Sequence, residues 1–274
     1  MTQPCHPRPG AATLERMPTE IGALTVLPAR RENIELHTAD GLTLVGEVAL
    51  PLDRDPVATL LTLHPLPTHG GYMDSHVFRK AAWRLPALAD LAVVRFNTRG
   101  TTSPRGTSDG AFDGGRAERH DVHALLEYGE FEELPRRWLL GWSFGTELTL
   151  MHGDDPSIEG AILLSPPLHR ATDDDLDRWA AFGKPVRILV PEHDDFLQPA
   201  QARERFARIP QAELIDGPGM KHLWVGENAV RWVLTKIVEV VNPAALPLPT
   251  QWDGPVGEAA PEPAATTSAS EPES

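Results

Sequence analysis

Ser143 stands between two glycines in Gly141-Trp142-Ser143-Phe144-Gly145, directly after the apolar run Arg137-Trp138-Leu139-Leu140. Set after a strand and before a helix, such a frame lifts a serine hydroxyl out of a sharp turn as a nucleophile. By itself the frame is weak, since ordinary glycine and serine usage produces it by chance in about one chain in ten of this length. A serine hydroxyl also needs a base to take its proton and a carboxylate to orient that base. Downstream, the segment Pro191-Glu192-His193-Asp194-Asp195-Phe196 offers carboxylates at 192, 194 and 195, and Gly217 to Trp224 contains His222. The order serine, acid, histidine is the chemistry of attack on a carbonyl carbon through a covalent acyl intermediate. Such attack creates an oxyanion, which needs backbone donors. The amide of Phe144, next to the serine, is one candidate. The amide of Leu66 is the other, since Pro65 and Pro67 on either side have no N–H.

These groups meet only if the chain brings them to one edge. The segments 33–38 and 42–50 alternate apolar and polar residues, as half-buried strands do, and Asp40-Gly41 between them is a hairpin signal. Short, mostly apolar runs follow at 58–64, 91–97, 137–142, 160–165, 186–191 and 212–216. Strands covered on both faces read this way in parallel sheets. Helical patterns fall between them at 75–85 (before Pro86), 118–128, 144–152 (ended by Gly153), 199–209 and 227–241. The expected fold class is α/β, an open and mostly parallel sheet with an N-terminal antiparallel hairpin and helices on both faces. Ser143, the acid and His222 then each follow a strand, at the carboxyl edge where ligands bind in open α/β sheets. His193 precedes the last strand, which leaves His222 as the better base. Glycine-rich dinucleotide and phosphate-loop spacings are missing; the loop after 58–64 reads Pro65-Leu66-Pro67-Thr68-His69-Gly70-Gly71.

The chain has 274 residues, is 41% hydrophobic and carries a net charge of −14. That charge argues against nucleic acid or an anionic membrane as partner. One cysteine, Cys5, allows no internal disulfide. The first seventeen residues have no apolar signal core, and no run approaches the roughly 18 apolar residues of a membrane span, so a cytoplasmic protein is expected. Residues 1–20 read as a disordered arm and 21–242 as the folded domain. Residues 243–274, with seven prolines, five acidic residues and no Lys or Arg, read as a disordered tail in which Trp252 is expected to be unstructured, with docking on the domain or a partner as the alternative. His120, Asp121 and His123 share a predicted helix whose charged residues face solvent, and no further ligands complete a metal site. Arg95, Asn97 and Arg99 are expected to bond to acids such as Glu118 or Asp121, with substrate binding as the alternative.

Together, "HPLPTHGG" at 64–71, "RFNTRG" at 95–100 and "GWSFG" at 141–145 resemble the α/β-hydrolase superfamily, in a compact branch. The resemblance spans about residues 32 to 241. It implies the α/β-hydrolase fold, with Ser143 as nucleophile, Asp194 as acid and His222 as base. Pro191 stands where the family's acid motif usually has glycine, which leaves Asp195, and more distantly Glu192, as alternatives to Asp194. Only about sixteen residues separate "GAILLSPP" from "KPVRILVP", where lid-bearing relatives insert a cap, so a minimal lid is expected. Leu168 to Phe182, with His169, Trp179 and Phe182, would wall the cleft, and Trp142 and His169 are candidate substrate contacts. For Trp142, packing under the sheet edge is an equal alternative. The function implied is a serine hydrolase acting on a small-molecule acyl substrate, without metal or cofactor; a carboxylic ester or thioester is expected over an amide because alcohol and thiol leaving groups are easier to expel. A binding or scaffold protein on the same fold, or an acyltransferase using the same residues, are the alternatives.

Overall fold

The computed structural model describes residues 18–257. Twelve strands occur there: β1 (Thr19–Glu20), β2 (Arg30–His37), β3 (Thr43–Leu50), β4 (Ala58–Leu63), β5 (Leu91–Phe96), β6 (Thr102–Ser103), β7 (Gly106–Thr107), β8 (Arg137–Trp142), β9 (Ile158–Leu164), β10 (Val186–His193), β11 (Ala212–Lys221) and β12 (Gln251–Trp252). The α-helices are α1 (His76–Ala89), α2 (Arg119–Phe131), α3 (Phe144–His152), α4 (Asp173–Phe182), α5 (Pro199–Phe206) and α6 (Glu227–Val241). The main sheet has the order β11-β10-β9-β8-β4-β5-β3-β2. β2, β3 and β5 pair antiparallel, and the pairs from β5 through β4 and β8 to β11 are parallel.

Both faces of the sheet are covered, because β4, β5 and most of β8 to β10 are apolar on both sides. One face buries Val122 and Leu125 of α2, Leu148 of α3 and Trp179 of α4. The other buries Phe78 and Leu85 of α1 and Val230, Val233 and Ile237 of α6. No helix of the described residues is long and apolar enough to cross a membrane.

The structure differs from the sequence-based expectations in four places. α1 runs through Pro86 to Ala89 instead of stopping before it. Proline has no N–H for the carbonyl four residues back. Arg31 Nη2 donates to that Ala82 carbonyl at 3.1 Å, and the Leu27 amide donates to the Trp83 carbonyl at 2.9 Å. α4 lies in a stretch read only as a wall of the cleft. Thr172 and Asp175 form its capping box, and Gly183 closes it with φ 72°. β11 continues past Asp216 to Lys221, so His222 follows the strand directly.

The fourth correction concerns the termini. Residues 243–257 pack on the domain instead of forming the start of a loose tail. β12 pairs with β1, so Trp252 sits in a strand, and its Nε1 donates to the Pro255 carbonyl at 3.0 Å. Leu248 is 8% exposed within the α1/α6 face of the core. Alternating leucine and proline in Leu246 to Pro249 supplies apolar surface that composition alone hides. The rest of the expected arm (1–17) and tail (258–274) lies outside the described residues.

Candidate active site

Ser143 occupies the turn between β8 and α3 with φ 52° and ψ −113°. A non-glycine residue in such a region stores on the order of 1–3 kcal/mol of strain. The turn is held because the Ser143 amide donates to Leu164 of β9 at 2.9 Å, while its carbonyl accepts from the Thr146 amide at 2.9 Å and hydroxyl at 2.6 Å. Glycine is needed on both sides. A Cβ on Gly141 would lie 2.5 Å from the Gly145 carbonyl oxygen, and one on Gly145 would lie 1.8 Å from that of Leu63 in β4.

His222 follows β11 and Asp194 follows β10. His222 Nε2 is 2.9 Å from Ser143 Oγ, and His222 Nδ1 is 2.9 Å from Asp194 Oδ2. The carboxylate fixes the tautomer: Nδ1–H donates to Asp194, and Nε2 is left to accept from the serine hydroxyl. Both His222 and Asp194 are buried. The other carboxylate oxygen of Asp194 accepts from the amides of Phe196 at 2.9 Å and Leu197 at 3.3 Å. Neither Asp195 nor Glu192 takes this place: Asp195 is exposed, and Glu192 accepts from the Gly219 amide at 2.7 Å. The His222 carbonyl accepts from Trp142 Nε1 at 3.2 Å and Ser165 Oγ at 3.0 Å, so the backbone under the imidazole is pinned twice.

The loop carrying Leu66 is shaped by its neighbours. His64 is fully buried; its Nδ1 donates to the Pro65 carbonyl at 2.6 Å and its Nε2 accepts from the Thr98 amide at 3.0 Å. Burial holds the His64 imidazole neutral, with its pKa lowered to about 4 despite the bond to Pro65. The Leu66 carbonyl accepts from the amides of His69 and Gly71, both at 3.0 Å, and a Cβ on Gly71 would come within 2.1 Å of the Pro65 oxygen. Leu66 and Phe144 both line the cavity at Ser143. Phe144 is the first residue of α3, where amides have no partner within the helix.

That cavity has a volume of about 510 Å³. Its walls are mostly apolar, with Phe144, Pro167, Phe196 and Leu223, and it also exposes His69, His169, Arg170 and Asp195. His169 lines the cavity, Trp142 takes the alternative of packing under the sheet edge, and Trp179 does not wall the cavity. Trp142 turns to the other face of the sheet, where it lies edge-on to His76 and Phe78 and lines a separate cavity of about 400 Å³. Trp179 is fully buried and donates to the Leu150 carbonyl at 3.1 Å, so it is core, with Phe182 against its ring at 5.5 Å.

Sequence reasoning named none of three further residues of this site, although Arg170 lies within the 168–182 stretch read as a wall. Phe196 is half exposed, and its ring meets His222 at 4.6 Å and His169 at 5.4 Å. Arg170 lies over the Phe144 ring at 5.1 Å. Glu147 of α3 is fully buried, and its carboxylate accepts from the amides of His169 at 2.6 Å, Arg170 at 3.0 Å and Ala171 at 2.5 Å. Its signal was a lone acid in the apolar run of α3, four residues after the serine.

The remaining polar groups belong to the scaffold. Arg95 pairs with Glu47 and Asp74, Arg99 pairs with Asp40 and Asp121, and Asn97 accepts from the Met73 amide. The expected bond from Arg99 to Asp121 is present, whereas Arg95 takes Glu47 and Asp74, and Glu118 accepts from the amides of Asp113 and Gly115. Asp121 is buried against Arg99 rather than facing solvent. Among the described residues no group of three His, Cys, Asp or Glu is placed to hold a metal ion.

No family model matches the chain, and no curated protein matches it. Solved structures do. A lid-less α/β serine hydrolase from Xanthomonas campestris is 24% identical, with a TM-score of 0.65 over 82% of this chain and 99% of that one. An α/β serine hydrolase homologue from Coxiella burnetii is 24% identical, with a TM-score of 0.63 over 76% and 96%. A cold-adapted esterase from an Arctic intertidal metagenomic library is 21% identical, with a TM-score of 0.62 over 79% and 96%. The chain has the α/β-hydrolase fold.

Proposed function

We propose that the protein is a serine hydrolase that cleaves a carboxylic ester or thioester through an acyl-enzyme. The observation that carries this reading is the hydrogen-bonded series from Ser143 Oγ through His222 to Asp194, at a cavity large enough for a small acyl substrate.

In this mechanism His222 Nε2 takes the hydroxyl proton as Ser143 Oγ bonds to the carbonyl carbon. Asp194 stabilises the imidazolium that results. The amides of Leu66 and Phe144 donate to the oxyanion. His222 then returns the proton to the departing oxygen or sulfur, and the carbonyl–leaving-group bond breaks. A water molecule, deprotonated by His222, attacks the acyl carbon and frees Ser143. An alcohol or thiol leaves more readily than an amine, which favours esters and thioesters over amides.

A fluorophosphonate probe tests the reading. Labelling of the wild type that is lost in Ser143→Ala supports it. No labelling of wild-type protein whose circular dichroism reports correct folding would sink it and favour a binding protein on this fold. Product analysis with a competing alcohol separates hydrolysis from acyl transfer.

A further inference from the structure

We infer that the acyl group this site accepts carries a carboxylate, bound by Arg170; the inference rests on the hydrolase reading above.

The arginines of this chain are widely paired with acids. Arg84, Arg95, Arg99, Arg105, Arg178 and Arg208 each meet at least one carboxylate. Arg170 forms no ion pair among the described residues, although it lines the cavity that holds Ser143. It is nevertheless held firmly. Its backbone amide donates to buried Glu147, its Nε donates to the Gly114 carbonyl at 3.0 Å, and its guanidinium lies over the Phe144 ring. The two terminal nitrogens form no hydrogen bond with described residues. A guanidinium fixed at its Nε, with its far edge free, is prepared for two parallel bonds to a carboxylate.

Direction follows from the chemistry. The leaving atom must lie within reach of His222, whose ring packs on Phe196. Arg170 instead packs on Phe144, whose amide faces the oxyanion in the proposed mechanism. The acyl chain, which stays on Ser143 after the leaving group departs, is therefore the part that reaches Arg170. Of the residues lining the cavity, Asp195 is the only acid. It is exposed and adjoins Phe196, on the side assigned to the leaving group. His69 and His169 add further donors to the lining.

The test compares the mono-4-nitrophenyl ester of adipic acid with 4-nitrophenyl hexanoate, which matches it in chain length and lacks the charge. The wild type should favour the adipate in kcat/KM, and salt should weaken that preference. Arg170→Gln should lower the adipate-to-hexanoate ratio by at least about tenfold, and Arg170→Lys should restore part of it. Arg119→Gln, the same charge change on the exposed start of α2, should leave the ratio alone. A wild-type preference for hexanoate, or a ratio that Arg170→Gln does not move, overturns the inference. If neither ester turns over and fluorophosphonate leaves Ser143 unlabelled, the hydrolase reading fails instead. Calorimetric titration of adipate into wild type and Arg170→Gln then decides the anion site alone. Binding that the substitution abolishes supports the site, and no binding to the wild type removes it.

Discussion

Gly145 lies so close to Leu63 that a Cβ on it would stand 1.8 Å from the Leu63 carbonyl oxygen. This contact sets how near α3 approaches β4, and therefore how sharply the chain turns at Ser143. Neither side is a flexible side-chain tip that can swing away. Gly145→Ala should cost at least about 3 kcal/mol, above the usual range for an overpacked core, because backbone must shift. Gly22→Ala is the control, since nothing lies within 4 Å of its Cβ position. Thermal unfolding followed by circular dichroism reads the difference. Equal melting temperatures for the two variants would contradict the packing argument.

The carboxylate that faces His222 belongs to Asp194, and its neighbour Asp195 points into the open cavity. Asp194→Asn should reduce kcat for 4-nitrophenyl acetate by about 10⁴-fold, because the amide offers His222 no charge and can hold the wrong tautomer. Asp195→Asn should reduce it far less. The opposite ranking in steady-state kinetics would overturn the proposed roles.

His64 links stability to pH. Its pKa falls from 6.5 in the unfolded chain to about 4 in the folded protein, because burial penalises the cation. The unfolded chain therefore binds the proton first as pH falls. The stability that neutral His64 preserves is complete above about pH 6.5, erodes between 6.5 and 4, and is lost below that. The difference of 6.5 − 4 = 2.5 corresponds to roughly 3 kcal/mol. Burial lowers the pKa of His76 and His152 too, so the whole protein has a steeper profile than His64 alone. Urea unfolding from pH 7 to pH 4 should show a shallower loss in His64→Gln than in the wild type. Parallel profiles would count against this assignment.

The sheet was readable because its period is local. Continuous apolar runs at β4, β5, β8, β9 and β10, with a glycine-flanked serine after the third, place a nucleophile at a strand end without reference to any distant residue. His222 was readable as the histidine beyond the last apolar run, whereas the run at β10 left Glu192, Asp194 and Asp195 open and only the family resemblance favoured Asp194. What was not readable depends on contacts between segments far apart in sequence. α1 passes Pro86 because Arg31, 51 residues away, takes the freed carbonyl. For Trp142 the sequence left substrate contact and packing under the sheet edge open, and alternation along β8 decides for the opposite face. Arg170 and Phe196 carry no local signal, since each gains its place from Phe144 or His222. α4 is the exception: Thr172, Asp175 and Gly183 form a start and a stop that were present in the sequence and were passed over.

Trp142 offers a test of positioning at a distance. Its indole N–H donates to the His222 carbonyl, and its ring fills space beside His76 and Phe78. Trp142→Phe keeps an aromatic ring and removes the donor. Loss of one such bond should cost about 1 kcal/mol of stability. Because Ser165 still holds the same carbonyl, kcat should fall only modestly, by roughly threefold to tenfold, with KM for short esters little changed. A rise in KM with kcat intact would show that Trp142 contacts substrate after all.

The final segment offers the sharpest reversal between composition and packing. Its prolines and acids suggest that removing residues 247–274 would change nothing. The structure argues otherwise. Leu248 is buried against α6, its carbonyl accepts from Arg231 Nη2 at 2.9 Å, and the Ile21 amide donates to the Thr250 carbonyl at 2.9 Å. β12 then zips to β1, and the Gly257 amide reaches the Val26 carbonyl at 2.8 Å. Truncation after Leu246 should therefore destabilise the domain by at least about 2 kcal/mol, the scale of exposing one leucine. Leu248→Ala in the full chain should reproduce most of that loss, at roughly 2–3 kcal/mol. The described residues 247–257 do not line the Ser143 cavity. Turnover of 4-nitrophenyl acetate well below the melting temperature should accordingly survive both changes. A truncated protein that melts with the wild type would return these residues to the status of a loose tail.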